Sequence, residues 1–410
     1  MLPLNAAKLL IVEGVDDDPR MRARAERLRA GIHASEVRTV DDEELRQIVA
    51  SEFASRSHHG MRHDFAPLVV LNRFRFDDSE AERARRIAAF PELDQLKLNG
   101  YGGFDWRESG SPAWREKSGL VCQPAWQLHT IAGCPFRCAY CSLGGIVNLM
   151  LNMEDFVARL DGWLAQCPDQ TLFQYDNWTD TVCFEPEYGG AKLLIDYFAQ
   201  KPGKALELYV GKSDNVDFLL DYGHRAQTVC CWSLAARTQS VEFEWRAAPM
   251  AARIEAMRKC QDAGYPVRVR FSPIIPVKNW RDENREMIDL LFRAVQPDIV
   301  TIETIRFMNY EAMARSFDIS LLDEGFVAAM RGFSGQPCAS GCEVPDGYRE
   351  TVYEFILTEV ERISPATPVA FCREKRTLWD VFSDSLSRHG QHPDAYICNC
   401  GPYSAPATVA

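Results

Sequence analysis

Between residues 125 and 307, six apolar runs alternate with helix-patterned stretches, and this alternation limits the fold more than any other feature of the chain. The runs cover residues 128–132, 171–175, 205–210, 228–234, 267–275 and 299–307. The stretches between them cover 152–166, 190–200, 213–220, 249–263 and 284–295. Buried strands separated by amphipathic helices imply right-handed βαβ units and a parallel sheet. The count suits a partial barrel and a doubly wound sheet equally.

Ahead of this block, residues 8–12 and 67–71 read as short buried strands in a small α/β region ending near residue 120, with 99–112 as the connection. Behind it, residues 348–363 carry a helical pattern and a cysteine-bearing tail closes the chain. The expected division is 1–120, 121–310 and 311–410.

Composition narrows the setting. The 410 residues include 14 cysteines, and 46 Lys plus Arg stand against 58 Asp plus Glu, a net charge of −12. Neither the first 120 residues nor the remainder is basic, which disfavours nucleic acid as an indiscriminate partner. No run approaches the ~20 apolar residues that span a bilayer. The start, Met1 to Leu4, lacks the pattern of a signal peptide. A cytoplasmic, reducing location is expected, where dense cysteines point to metal or catalysis rather than disulfides.

The sharpest local feature is Gly133-Cys134-Pro135-Phe136-Arg137-Cys138-Ala139-Tyr140-Cys141, a C-x3-C-x2-C spacing just after the first strand. Ligands bind at the carboxyl ends of parallel strands, and thiolates hold iron–sulfur clusters. Three close thiolates leave one iron of a cubane open to an outside chelator. A zinc knuckle or buried core cysteines are the alternatives.

In this spacing the sequence resembles the radical S-adenosylmethionine superfamily. The resemblance implies a partial (β/α)6 barrel, with Cys134, Cys138 and Cys141 holding a 4Fe–4S cluster and S-adenosylmethionine on the open iron. It implies that Tyr140 lies near the adenine, that a 5′-deoxyadenosyl radical abstracts a substrate hydrogen, and that a cellular one-electron reductant of flavodoxin or ferredoxin type feeds the cluster. Further segments resemble the spore photoproduct lyase family: Cys231-Trp232-Ser233-Leu234, Arg253-Ile254-Glu255-Ala256, Ala263 to Val267, Phe271 to Pro276 with Trp280, Ile305-Arg306-Phe307, and Phe371-Cys372 with Trp379. By that likeness Lys212 and Ser233 face the cofactor. The family's hydrogen-donating cysteine after the second strand is replaced by Asn177, and its tyrosine after the third cluster cysteine by Ser142.

An amide cannot give a hydrogen atom to a carbon radical, so a different substrate or outcome is the first reading. A true photoproduct lyase acting in DNA repair, with Cys183 as a relocated donor, is the second. A non-catalytic iron–sulfur or zinc protein is the third. Asp176 and Asp180 flank the end of the second strand and are candidates for substrate or cofactor contact. Cys338, Cys342, Cys398 and Cys400 could close a second metal site, zinc or iron–sulfur. Cys230 and Cys231 should face opposite sides of their strand. Glu303 and Arg306 should likewise diverge if the sixth strand runs through both. His58, His59 and His63 sit in a polar loop, and Trp178, Trp232 and Trp280 read as packing residues.

Overall fold

The computed structural model describes residues 1–56, 66–107, 111–333 and 344–402. Its main sheet has eight strands. Seven are parallel and run in chain order: β1 (Ala125–Leu128), β2 (Leu172–Tyr175), β3 (Ala205–Gly211), β4 (Thr228–Ser233), β5 (Val267–Ile274), β6 (Ile299–Thr304) and β7 (Val369–Phe371). Strand Phe104–Arg107 flanks β1 antiparallel, so the expected connection at 99–112 contributes a sheet edge.

Helices α1 (Met153–Leu164), α2 (Gly190–Phe198), α3 (Met250–Asp262) and α4 (Trp280–Ala294) lie where the periodicity puts them, and α5 (Asp346–Ile363) follows in the C-terminal part. Each buries one stripe. In α2 that stripe is Ala191, Leu194, Ile195 and Phe198; in α4 it is Trp280, Asn284, Met287, Ile288 and Leu291. The expected helix at 213–220 is only a short turn at Asp217–Leu219. There Ser213 Oγ accepts the Asn215 amide at 3.1 Å, and a serine hydroxyl that binds nearby backbone competes with a helical turn.

The strands carry two different faces. Leu206, Leu208, Val210, Cys230, Trp232, Val269, Phe271 and Ile302 join the apolar core. The residues between them form a polar lining. Gln174 donates to Glu207 at 2.9 Å, Tyr209 meets Ser233 at 3.0 Å, Arg270 donates to Tyr209 at 2.9 Å and Ser272 donates to Glu303 at 2.7 Å. A strand's period of two separates these faces, and a barrel turns one of them inward. Cys230 accordingly lies by Cys260 of α3, while Cys231 lies by Glu207 in the lumen. Trp232 and Trp280 are buried packing residues, as expected.

Two expectations at strand ends change. The first run splits: β1 stops at Leu128, and Ile131–Ala132 pairs antiparallel with Ile146–Met150 in a second sheet. That sheet runs Val37–Val40, Lys8–Val12, Leu68–Asn72, Ile146–Met150, Ile131–Ala132, and so takes strands from both sides of residue 120. Glu303 and Arg306 do not diverge. The strand ends at Thr304, the chain turns, and the Arg306 guanidinium donates to the Glu303 carboxylate.

Candidate active site

The cysteine loop is held at the carboxyl mouth of the barrel by its backbone. Gly133 has φ 95°, and a Cβ there would lie 1.8 Å from the Ile146 carbonyl oxygen, so only glycine fits. Its amide donates to Trp178 O at 3.0 Å, and Cys134 N–H donates to Leu143 O at 2.8 Å. Arg137–Cys138 pairs antiparallel with Glu244–Trp245, setting Cys138 opposite Glu244. Cys138 is buried, and Cys134 and Cys141 are half-buried. Burial pushes all three thiols up, Cys138 to about 12 in the metal-free chain, and a metal must displace those protons to bind.

Among the described residues, no three His, Cys, Asp or Glu side chains are gathered tightly enough to hold one metal ion. A cubane spreads its thiolates around a whole cluster and does not need that gathering. Three cysteines on a constrained loop, with a cation nearby, suit such a cluster in chemistry and position.

Around the loop stand several of the residues that the sequence singles out. Tyr140 donates its hydroxyl hydrogen to Glu244 Oε1, and Lys212 Nζ lies 5.7 Å from the Tyr140 ring centre. Burial works against the Lys212 ammonium, but Glu244 and Cys138 beside it hold its pKa above the ordinary lysine value. Asp180 Oδ2 accepts the Lys212 amide at 2.5 Å, and burial pushes this carboxyl up to about 7. Gly211 makes room for it: a Cβ there would sit 2.6 Å from Asp180 Oδ2. Ser233 lies within the polar lining, and its carbonyl accepts from Arg253 at 3.0 Å.

Cys183 donates to Asp180 Oδ1 at 3.1 Å. It also lines an apolar cleft of about 290 Å³ with Leu2, Pro3, Leu4, Pro135, Phe136, Phe184 and Arg246. Asp176 is fully buried and accepts His129 Nδ1 at 2.6 Å. The ring of Trp178, read as packing, stacks on His129 with centroids 4.4 Å apart.

Sequence reasoning missed two groups. Glu244 is buried and bound by Arg253 at 2.5 Å, with both side chains fully enclosed. Burial opposes its charge, yet Arg253 and Lys212 hold its carboxyl below the ordinary value. No motif marked it; the only signal was a carboxylate following the apolar Val241 and Phe243 in a short segment. His129, one residue past β1, was also unmarked.

The tail enters the lumen from the amino end of the strands. Arg268 donates to Cys398 O at 2.6 Å and to Pro402 O at 2.8 Å, and Gln174 reaches Cys400 Sγ at 3.7 Å. The two tail thiols contact each other: the hydrogen bond from Cys398, helped by Arg107 nearby, favours the Cys400 thiolate, while that same bond and burial push the Cys398 thiol up. Their neighbours are Cys122 and Cys372. Cys338 and Cys342 lie outside the described residues, as do His58, His59 and His63. Every described cysteine is a free thiol.

A parallel barrel with a three-cysteine loop at its carboxyl mouth is the arrangement of the radical S-adenosylmethionine fold. Residues 123–316 match the family model described as spore photoproduct lyase. The spore photoproduct lyase of Bacillus subtilis (strain 168) is 28% identical over 184 residues, covering 42% of this chain and 54% of the relative. That of Geobacillus sp. (strain Y412MC61) is 26% identical over 171 residues, covering 40% and 50%. The chain thus aligns with about half the length of each curated relative.

A solved double mutant of spore photoproduct lyase with bound AdoMet and dinucleoside spore photoproduct superposes with a TM-score of 0.61 at 18% identity, over 90% of this chain and 98% of that one. A complex of the lyase with dinucleoside spore photoproduct gives 0.59 at 18% identity, over 90% and 99%. At that identity the likeness establishes the fold. Residues 123–316 are thus similar in sequence to the spore photoproduct lyase family, and the chain shares the fold of its solved members.

Proposed function

We propose that this chain is a radical S-adenosylmethionine enzyme acting on a nucleotide or nucleic-acid substrate at the barrel mouth. The observation that carries the reading is the Cys134–Cys138–Cys141 loop, locked by Gly133 and by the Cys138–Glu244 pairing. When bound there, the cluster and S-adenosylmethionine supply one-electron cleavage of the sulfonium and a carbon radical able to take hydrogen.

The protein's own groups do the positioning. Tyr140, fixed by Glu244, offers a ring face for the adenine. Lys212 and Ser233 offer donors to the cofactor's polar groups, and Arg253 ties Ser233, Ala248 and Glu244 into one rigid frame. Phe136 and Phe243 enclose the loop with buried apolar surface. A flavodoxin- or ferredoxin-type reductant and a cytoplasmic setting complete the proposal; no helix among the described residues is long and apolar enough to cross a membrane.

Anaerobic reconstitution with iron, sulfide, dithionite and S-adenosylmethionine tests it. We expect 5′-deoxyadenosine from the wild type and none from Cys138→Ala; equal traces from both would refute the reading. The second reading, photoproduct repair with Cys183 as donor, draws support from the placement of that thiol against Asp180, next to the loop. It requires repair of dinucleoside spore photoproduct that is lost in Cys183→Ala. A second metal site is tested by counting iron and zinc per chain before and after removal of residues 390–410.

A further inference from the structure

At the carboxyl ends of β1 and β2, the polar lining continues one rung beyond the strands. Gln127 and Gln174 are register partners whose side chains meet. Two residues on, His129 and Asp176 repeat the pairing, with Nδ1 and Oδ1 2.6 Å apart. His129 is 3% exposed and Asp176 0%.

Hydrogen bonding assigns the tautomer. Asp176 Oδ2 accepts Thr130 N–H at 3.1 Å, and Oδ1 accepts Trp178 N–H at 3.0 Å as well as the imidazole. A carboxylate taking two backbone donors is itself an acceptor, so Nδ1 of the neutral ring must carry the proton. Nε2 is then a bare lone pair, and it is buried with no partner. Asn177 Oδ1 and Thr179 Oγ1, on the loop that follows Asp176, are also buried with no partner.

An unmet buried acceptor costs about 1–3 kcal/mol, so the imidazole nitrogen and the two unmet oxygens on the loop after Asp176 need an explanation. A bound molecule bringing its own polar hydrogens supplies it. The ring is otherwise immobilised: Trp178 stacks on it, Asp176 holds one edge, and its amide is bonded to Gly103 O at 2.8 Å. Lys97 Nζ lies 5.7 Å from the centre of the Trp178 ring. An imidazole oriented by a buried carboxylate, with its other nitrogen free, is the arrangement of a general base.

We propose that His129 Nε2 accepts a proton from an O–H or N–H of the substrate at the barrel mouth, with Asp176 as its positioning residue and Asn177 and Thr179 binding that substrate's other polar hydrogens. The substrate's O–H or N–H bond breaks, an Nε2–H bond forms, and the imidazolium is balanced by Asp176 while the electron pair stays on the substrate. This deepens the radical-enzyme reading and rests on it: the substrate loses a proton as well as a hydrogen atom. Its recognised chemistry is an acidic hydrogen, as in a pyrimidine imide or a sugar hydroxyl.

The test uses the full chain labelled with ¹⁵N-histidine, with His129 assigned by its absence in His129→Asn. Asparagine keeps a donor toward Asp176 and removes Nε2 together with the rest of the ring. We expect Nδ1 protonated and Nε2 bare in the free chain, and a mixed tautomer in Asp176→Asn. The dinucleoside spore photoproduct held in the relative's structure and its N3-methylated form are then added as probes.

A shift of Nε2 by the first probe alone identifies an imide partner, and a shift by both identifies a sugar hydroxyl. In either case His129→Asn should weaken probe binding at least tenfold. A proton on Nε2 in the free chain, or no shift with either probe, overturns the proposal. Failure of 5′-deoxyadenosine formation in the reconstituted enzyme would instead count against the radical reading, which the tautomer measurement does not involve.

Discussion

Cys138 and Glu244 face each other across a two-residue antiparallel bridge, and the Glu244 carboxylate at the same time binds Arg253 and Tyr140. One residue therefore joins a thiol of the candidate cluster loop, the ring set beside it and the helix behind it.

Glu244→Gln should loosen all three. It leaves Arg253 buried without its counter-charge, and breaking such a pair costs about 3–5 kcal/mol. The expected result is a lower melting temperature, and less than half the wild-type iron per chain after reconstitution. Unchanged iron would show that the bridge does not hold the loop.

Gly133→Ala should abolish cluster loading, because the new Cβ would collide with the Ile146 carbonyl. Gly203→Ala is the control. Gly203 also has a positive φ, 77°, but nothing lies within 4 Å of the added carbon. It should cost roughly 1–2 kcal/mol and leave the cluster's absorbance intact. Equal loss of iron in both would remove the steric explanation.

Glu207 lies fully buried in the lumen, and burial raises its carboxyl from 4.5 to about 7. Between those values the folded chain keeps a proton that the unfolded chain has released. Stability therefore falls as pH rises through that window, by up to about 3 kcal/mol once pH passes 7. Glu207→Gln should flatten this part of the profile, read from urea midpoints at about pH 5 and pH 8. A slope equal to that of the wild type would place the titration elsewhere.

Arg268→Met keeps the volume but removes the donors to the tail carbonyls. At about 2 kcal/mol for a charged hydrogen bond, amide exchange over residues 398–401 should quicken on the order of tenfold or more. Exchange at the wild-type rate would mean that the tail is held by its other contacts.

The parts that were legible before the fold are those written locally. The strand and helix periods of β2 to β6 and α1 to α4 each lie within one run, and the three candidate cluster cysteines lie within eight residues of one another. What could not be read depends on register between distant strands. His129 and Asp176 are 47 residues apart and meet only because β1 and β2 pair with Gln127 opposite Gln174. Glu244 matters through its bridge to Cys138, which no periodicity encodes. Glu303 and Arg306 illustrate the opposite error, since alternation was extended past Thr304, where the strand has already ended.

The tail pinned by Arg268 gives the barrel the plan of a bottle with a stoppered base. On the proposed reading, substrate and product would both pass through the open carboxyl end, and release would have to precede the next binding.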